Sequence, residues 1–344
     1  MKGGRNQARP LVTFALFAYN QDRFIGDAIK SAFSQEYEPL EIILSDDCSS
    51  DATFSTMEKM ADQYTGRHRV IINRTPYNMG VANHVISVCR KARGDIVVVA
   101  AGDDISYKNR VAMLVAEFQK DESIYCVTSG FDVIDENENY ISKNNQVPIG
   151  QKKNKKRKNF LKLSKNKKFK VIQGSTASYK ADLFSFDFPK EALLCAEDNL
   201  FNFAIYANGK DIASVSVPLI AYRQHDGALS NFKEKNLTAR DSEIATRTQL
   251  EKSESLLLAI KKIAESGSQQ DVVDYPGIES ELESIRVRLK WKDTNLLDRF
   301  RLIFLSLLRH DFVLFRWQII RFGGAYPDYV PQKYLNLIRK YLKR

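Results

Sequence analysis

Short runs of β-branched and aromatic residues alternate with helical spacing along the first third of the chain. LVTFALFAY (11–19) is a continuous apolar run, the pattern of a strand buried on both faces. Phe24, Ile25, Ala28, Ile29, Ala32 and Phe33 then recur at the spacing of an amphipathic helix. LEIILSD (40–46) predicts a second strand, and a Ser- and Asp-rich turn leads into a helix near 52–64. RVIIN (69–73) predicts a third strand, followed by a helix near 80–92 with Val81, Val85, Ile86 and Val88 on its apolar side. DIVVVAA (95–101) predicts a fourth strand. The βαβαβαβ order predicts an α/β fold: a mostly parallel, doubly wound sheet with right-handed crossovers. Such sheets bind ligands at the carboxyl ends of their strands. The residues just after each strand are therefore the ones to inspect.

After a helix over 107–119 and a strand over 124–131 the regularity fades. The segment 136–170 is polar and Lys-rich and predicts a mobile loop or insertion. Order is expected to return with FKVIQGSTASY (169–179), a helix near 197–208 and a pair of strands around 211–223. From about 235 onward the pattern is helical, and the segments 297–309 and 312–322 are apolar with interspersed arginines. This predicts one domain over 1–232, carrying the insertion at about 136–170, and a helical, basic region over 233–344.

Composition narrows the class. Hydrophobic residues make up 44% and charged residues 27%, too apolar for a disordered chain. The opening residues MKGGRNQARP are polar, so no signal peptide is expected there. No window carries 18 uncharged apolar residues, which argues against a transmembrane span. The cysteines Cys48, Cys89, Cys126 and Cys195 are scattered without a CxxC pair, as in a reduced chain without a zinc ribbon.

Charge informs once it is divided. The net is +10, yet residues 151–170 alone carry 11 basic residues and no acid. From Arg286 to the end there are 14 basic residues and 4 acids. The rest of the chain is therefore acidic. An acidic body argues against nucleic acid as a partner. The two basic regions suit an anionic surface, a phosphate-bearing substrate or a membrane.

Four constellations follow strands. Tyr19-Asn20 ends the first strand, and Asp46-Asp47-Cys48-Ser49-Ser50-Asp51 ends the second. Ser49, Ser50 or Asp51 can cap the next helix. A cap does not account for Asp46 and Asp47, where a carboxylate can accept hydrogen bonds from a nucleobase or a ribose. Gly102-Asp103-Asp104 ends the fourth strand. Adjacent carboxylates there are either a solvated turn or a site needing a cation, and hard oxygen ligands suit Mg²⁺ or Mn²⁺. Cys195-Ala196-Glu197-Asp198 opens a helix. Its acids either complement the helix dipole or hold a general base at the cleft. Tyr222-Arg223-Gln224-His225 ends a late strand. A lone His is more often structural, and His225 becomes a ligand only if Asp103 holds a metal nearby. His68, His84 and His310 are read as structural.

The order of the motifs is more specific than any one of them. FALFAYN, LSDDCSSDAT, NMGVANHV, RGDIVVVAAGDD, QGSTASY, AEDNLF and AYRQH resemble the successive motifs of the inverting GT-A glycosyltransferases of family 2, over residues 10–230. The resemblance implies a GT-A (Rossmann-like) sheet with helices on both faces and, beyond it, a helical C-terminal extension. It implies a nucleotide-sugar donor, a divalent metal and direct displacement at the anomeric carbon. Carried over by residue, Tyr19, Asn20, Asp46, Asp47 and Gly80 fall in the donor-binding set. Asp103, with Asp104 beside it, and the C-terminal His225 fall in the metal set. Gly174-Ser175 matches the acceptor loop, and Asp198 matches the base, supported by Glu197. Ala101 stands where many members carry the first metal Asp.

These residue types suit that chemistry, because a leaving diphosphate needs a cation and an attacking hydroxyl needs a carboxylate. Within that group the motifs resemble those of bacterial transferases that build O-antigen or capsule repeat units. The expected reaction is β-transfer of glucose or galactose from a UDP-sugar to an undecaprenyl-diphosphate-linked GlcNAc. Two other classes compete. A sugar-nucleotide pyrophosphorylase should show a Gly-rich, Arg-containing loop where this chain has YNQDRF. A non-catalytic membrane or anionic-polymer binder leaves the acids unexplained. A dinucleotide-dependent oxidoreductase needs GxGxxG after the first strand, which is absent.

A lipid-linked acceptor places the enzyme in the cytoplasm, peripheral on the inner face of the bacterial inner membrane. Residues 297–322 combine Leu, Phe, Ile and Trp with arginines and only two acids, Asp298 and Asp311. Such a helix can lie in the membrane interface or pack on the catalytic domain as a hairpin. The Lys-rich run can add electrostatic attraction to anionic lipid. Liposome flotation of the full chain, a version cut before Arg286 and one lacking 151–170 checks this. Docking predicts that at least one truncation loses binding to anionic vesicles. Salt-resistant loss with the tail marks apolar insertion, salt-sensitive loss with the Lys run marks electrostatics, and equal partitioning of all three rejects docking.

Overall fold

A computed structural model of the chain describes residues 9–145, 173–188, 197–227, 239–266 and 275–290. Its centre is a parallel block. Strand β1 (Val12–Ala18) pairs with β2 (Leu40–Asp46) on one side and β4 (Ile96–Ala101) on the other, and β3 (Arg69–Arg74) extends the sheet beyond β2. Three helices join these strands: α1 (Ile25–Phe33), α2 (Thr53–Asp62) and α3 (Val81–Cys89). The run of buried residues along β1, β2 and β4 is what double coverage requires. Val12, Phe14, Leu16, Ile42, Leu44, Ile96 and Val98 form one core with α1, with Met57 of α2 and with α4 (Arg110–Phe118). Alternate residues of β1 face α3 on the other side, where Phe17 meets the edge of His84.

The rest of the sheet is mixed. Its order is β3-β2-β1-β4-β8-β6-β9-β5. Strand β8 (Ser178–Lys180) runs antiparallel to β4 and to β6 (Ile124–Ile134). Strand β9 (Asp211–Arg223) is parallel to β6, and the two-residue β5 (Ile105–Ser106) is antiparallel to β9. A short helical turn, Gly174–Thr176, precedes β8, and another, Ala181–Ser185, follows it. Helix α5 (Glu197–Ala207) is anchored by Phe201, whose ring meets Tyr179, Phe184 and Phe188 at 5.2–5.3 Å. Edge-to-face packing of this kind fixes orientation as well as burying area.

Three sequence expectations need correction. The polar segment from 136 is not wholly a loop, because Tyr140–Asn145 forms β7, paired antiparallel with β6. It is an edge strand, so its polar face stays in water. Strand β6 runs to Ile134, past the expected end. The expected strand pair at 211–223 is one 13-residue strand. Pro218 does not break it, because it sits opposite Gly130 where the register shifts. The Lys-rich run 151–170 and the apolar segments 297–309 and 312–322 lie outside the described residues.

The chain forms two compact units, Met1–Asp241 with Ser255–Tyr275, and Ser242–Glu254 with Pro276–Arg344. The first holds the sheet. In the second, Ile278, Leu282 and Ile285 of α7 (Tyr275–Lys290) are buried at helical spacing. Arg286 of α7 pairs at 2.7 Å with Glu254 of α6 (Ala239–Ser266). Among the described residues no helix is long and apolar enough to cross a membrane.

The amino end of the parallel block is tied by a buried polar knot. Thr13 Oγ1 donates to Glu41 at 2.8 Å, and the backbone N–H groups of Arg93 and Gly94 donate to Glu41 and Thr13. A Cβ on Gly94 would stand 2.4 Å from the Thr13 backbone nitrogen. Gly94→Ala is expected to cost about 1–3 kcal/mol, the range for overpacking. Thermal denaturation reads it as a lowered Tm, and an unchanged Tm contradicts the close packing.

Candidate active site

The chain leaves β1 toward β2 and β3, then returns to β4 on the other side of β1. The carboxyl ends of β1 and β4 therefore lie at the point where strand order reverses, the usual ligand position in open α/β sheets. Four loops converge there.

The first two hold each other. Asn20 has φ 52°, a left-handed conformation that Asn tolerates. Its backbone N–H donates to Ser49 Oγ at 2.9 Å, and its side-chain oxygen accepts from the Ser50 N–H at 2.9 Å. Tyr19 beside it is 46% exposed and free to meet a ligand. Asp46 is fully buried; it accepts from the Ser49 N–H and pairs with Arg74 at 3.2 Å. Asp47 is buried and organises the loop after β3. It accepts from Thr75 Oγ1, the Met79 N–H and the Gly80 N–H, each at 2.9 Å. Asp51 accepts from the Thr53 N–H, but the N-cap of α2 is Ala52, one residue past the cap candidates read from sequence. Burial acts to raise its pKa, but hydrogen bonds from Thr53 and Asp22 outweigh it and hold the carboxyl low.

The third loop follows β4. Asp103 Oδ2 lies 3.0 Å from His225 Nε2, and both side chains are mostly buried. The structure thus brings together two residues 122 positions apart that sequence had joined conditionally. A carboxylate oxygen and an imidazole nitrogen are donors that Mg²⁺ or Mn²⁺ accepts. Among the described residues no group of three or more His, Cys, Asp or Glu converges on one point. The pair fits a divalent cation only as half of a coordination sphere that substrate phosphates complete.

Asp104 departs from expectation. Its side chain turns inward, where Oδ1 accepts from the Arg223 N–H at 2.9 Å and Oδ2 is buried without a hydrogen-bond partner. Burial raises its pKa to about 8, with the Asp103 charge adding, and the Arg223 N–H and the Arg110 charge hold it back. The Ser175 hydroxyl is likewise buried and outside hydrogen-bond geometry. Asp104 is thus a buried carboxylate, held on one oxygen by the Arg223 N–H.

The fourth loop is Gly174-Ser175. The Ser175 carbonyl accepts from Arg110 Nη2 at 2.6 Å. A Cβ on Gly174 would stand 2.6 Å from Glu197 Oε1, so a side chain there would have to displace the Glu197 carboxylate. Burial raises the Glu197 pKa. Asp198 is also buried, and the charges of both acids bear on Tyr179, whose own pKa burial already raises. The loop and the two acids therefore share one neighbourhood.

Sequence reasoning assigned no role to two buried arginines. Arg110 is 1% exposed and donates to Ser106 Oγ and to the Val99 and Ser175 carbonyls. Burial pushes its pKa down to about 10, and Asp104 opposes that. Arg223 is 2% exposed and donates to the Asp103 carbonyl in the loop after β4. An Arg opening the apolar helix RVAMLVAEF is the one sequence signal for the first; the second sits inside YRQH.

Comparison with known proteins bears on this geometry. The family model of glycosyl transferase family 2 matches residues 13–186, half of the chain. A putative glycosyltransferase of Bacillus subtilis (strain 168), EpsE, is 34% identical over 128 residues, covering 37% of this chain and 45% of the relative. A chondroitin synthase of Escherichia coli is 30% identical over 141 residues, covering 41% of this chain and 20% of the relative. The matches thus span less than half the length of these curated relatives. The crystal structure of S. aureus TarS 1–349 in complex with UDP-GlcNAc shares the fold, with TM-score 0.52, 15% identity and coverage of 91% of this chain and 92% of that one. The expected GT-A fold is met.

The raised pKa of Asp104 makes a pH prediction. The folded state holds a proton that the unfolded chain releases, so stability falls as pH rises from about 4 to about 8 and levels off above. Asp104→Asn keeps an oxygen for the Arg223 N–H and cannot ionise. In metal-free buffer, Tm of the variant minus Tm of wild type is expected to grow between pH 5 and pH 8. A difference independent of pH contradicts it.

Proposed function

Because this chain belongs to glycosyl transferase family 2, we propose that it transfers a hexose from a UDP-sugar, with inversion, to a lipid-linked saccharide. The observation that carries the reading is the approach of Asp103 to His225 at the strand-order reversal. In this reading the loops after β1 and β2 serve the donor, and the Gly174 loop beside Glu197 serves the acceptor. The UDP-glucose or UDP-galactose donor and the undecaprenyl-diphosphate GlcNAc acceptor rest on motif resemblance and on the basic regions. The names of the relatives, a polysaccharide synthase among them, support polysaccharide assembly in general.

In this reading Tyr19 and Asn20 meet the nucleoside, and Asp47 shapes its pocket by holding the 75–80 loop. Asp103 and His225 would hold a Mn²⁺ or Mg²⁺ ion, which would supply positive charge beside the departing diphosphate. Asp198 accepts the proton of the acceptor hydroxyl as its oxygen bonds to the anomeric carbon. The bond from that carbon to the diphosphate oxygen breaks on the opposite face, which inverts the centre. Glu197, half-buried beside Gly174 at the start of α5, supports Asp198 in that role.

A panel of nucleotide sugars with Mn²⁺ and the lipid-linked acceptor tests the assignment, with nucleotide release as readout and linkage read by NMR. Turnover with a UDP-hexose is expected, and turnover only with another nucleotide class overturns the donor. Asp198→Asn is expected to lower kcat by about 10²–10⁴-fold, the range for losing a general base, with donor binding retained. Collapse of donor affinity at near-normal kcat makes Asp198 a binding residue instead.

A further inference from the structure

We propose that Arg223 is the positioning residue of the Asp103–His225 pair: a buried guanidinium that fixes both ligands from behind. The proposal rests on the reading of that pair as the metal-holding half-site.

Arg223 ends β9, opposite Ile134 of β6. Its side chain is 1% exposed, and every nitrogen of its guanidinium is engaged. Nε donates to the Asp103 carbonyl at 2.9 Å. Nη1 donates to the Glu136 carbonyl at 3.1 Å, and Nη2 to Glu138 Oε1 at 3.3 Å. The Arg223 backbone N–H takes Asp104 Oδ1. One residue therefore grips the metal loop at two consecutive positions and ties it to the turn between β6 and β7. That turn is braced on its own: the Asp135 side chain accepts from the N–H groups of Asn137 and Asn139, and Glu136 pairs with Arg23 at 2.7 Å.

The second ligand is held through a ring. The Arg223 guanidinium lies 4.9 Å from the centroid of Phe24, and the same ring packs at 4.6 Å against His225. His225 is two residues along the chain, and the Gln224 N–H between them bonds the Ile134 carbonyl. Neither contact leaves the imidazole much freedom before a ligand arrives.

This matters because the protein donors are few. Ala101 occupies the position of a further acid, and two side chains supply the donors among the described residues. A half-site of two ligands has no third protein group to correct a misplaced one, so affinity depends on their pre-set geometry. Lysine cannot replace arginine here. A single ammonium on a flexible stem does not reach the Asp103 carbonyl, the Glu136 carbonyl and Glu138 in fixed directions.

The test uses the full chain with Arg223→Met, Arg223→Lys and Glu138→Ala. Mn²⁺ is titrated in the presence of UDP, with the free ion followed by EPR. Both arginine variants are expected to lose about 10–100-fold in Mn²⁺ affinity, the range for removing a group that orients a metal ligand. Recovery of wild-type affinity in Arg223→Lys overturns the proposal, because charge without geometry then suffices. Unchanged affinity in Arg223→Met does the same. Should that variant not fold, Glu138→Ala, which removes one exposed acceptor of the guanidinium, is expected to give a smaller loss, and no loss overturns the proposal. Amide hydrogen exchange of metal-free protein separates this from the metal reading. Faster exchange confined to 102–106 and 135–139 in the variants supports the clamp even if wild type binds no Mn²⁺, a result that would sink only the metal reading. Unchanged exchange there removes the clamp.

Discussion

Two adjacent carboxylates at the end of a buried strand repel each other and resist leaving water. Asp103 and Asp104 follow β4, whose residues are nearly all buried, and the surrounding structure is arranged around that conflict. The two acids are separated in direction. Asp103 turns to His225, while Asp104 turns inward and takes the Arg223 N–H. Two buried guanidiniums then flank them: Arg110 reaches the Val99 and Ser175 carbonyls, and Arg223 reaches the Asp103 carbonyl. Backbone carbonyls of β4, of the loop after it and of the Ser175 turn thus share one polar scaffold, while burial keeps the Asp104 pKa raised.

The donor side uses a different device. No buried cation is needed where backbone N–H groups do the work. Asp47 takes two of them from the loop after β3, and Asn20 takes one from the loop after β2. Each carboxylate or amide trades water for directed donors, which offsets the cost of burial. The loops at the ends of β1, β2 and β3 are thereby fixed before any nucleotide arrives, with the exposed Tyr19 ring as the element left to a ligand.

Legibility followed burial pattern. Strands β1, β2 and β4 are apolar runs and were readable, as were α1 and α3 with their regular stripes. Strand β7 was not, because an edge strand facing water carries no apolar signal. The run at 211–223 reads as a pair of strands although it is one, since Pro218 sits opposite Gly130 where the register shifts. Strands β5 and β8, of two and three residues, are too short to show a period. The site divides in the same way. Asp103, His225, Gly174 and Glu197 were marked by the order of motifs. Arg110 and Arg223 were not marked, since their partners are mostly backbone carbonyls, which any residue supplies. The inward turn of Asp104 was invisible for a related reason: two neighbouring acids look alike until the strand beside them is placed.

The central claim is that Asp103 and His225 form the half-site through which the donor diphosphate is held. Calorimetric titration of wild type and His225→Ala with UDP, once with Mn²⁺ and once with EDTA, tests it most directly. The account predicts that wild type binds UDP tightly only with Mn²⁺, and that His225→Ala shows the weak binding of the EDTA arm under both conditions. Equal UDP affinity of wild type in Mn²⁺ and EDTA would contradict it.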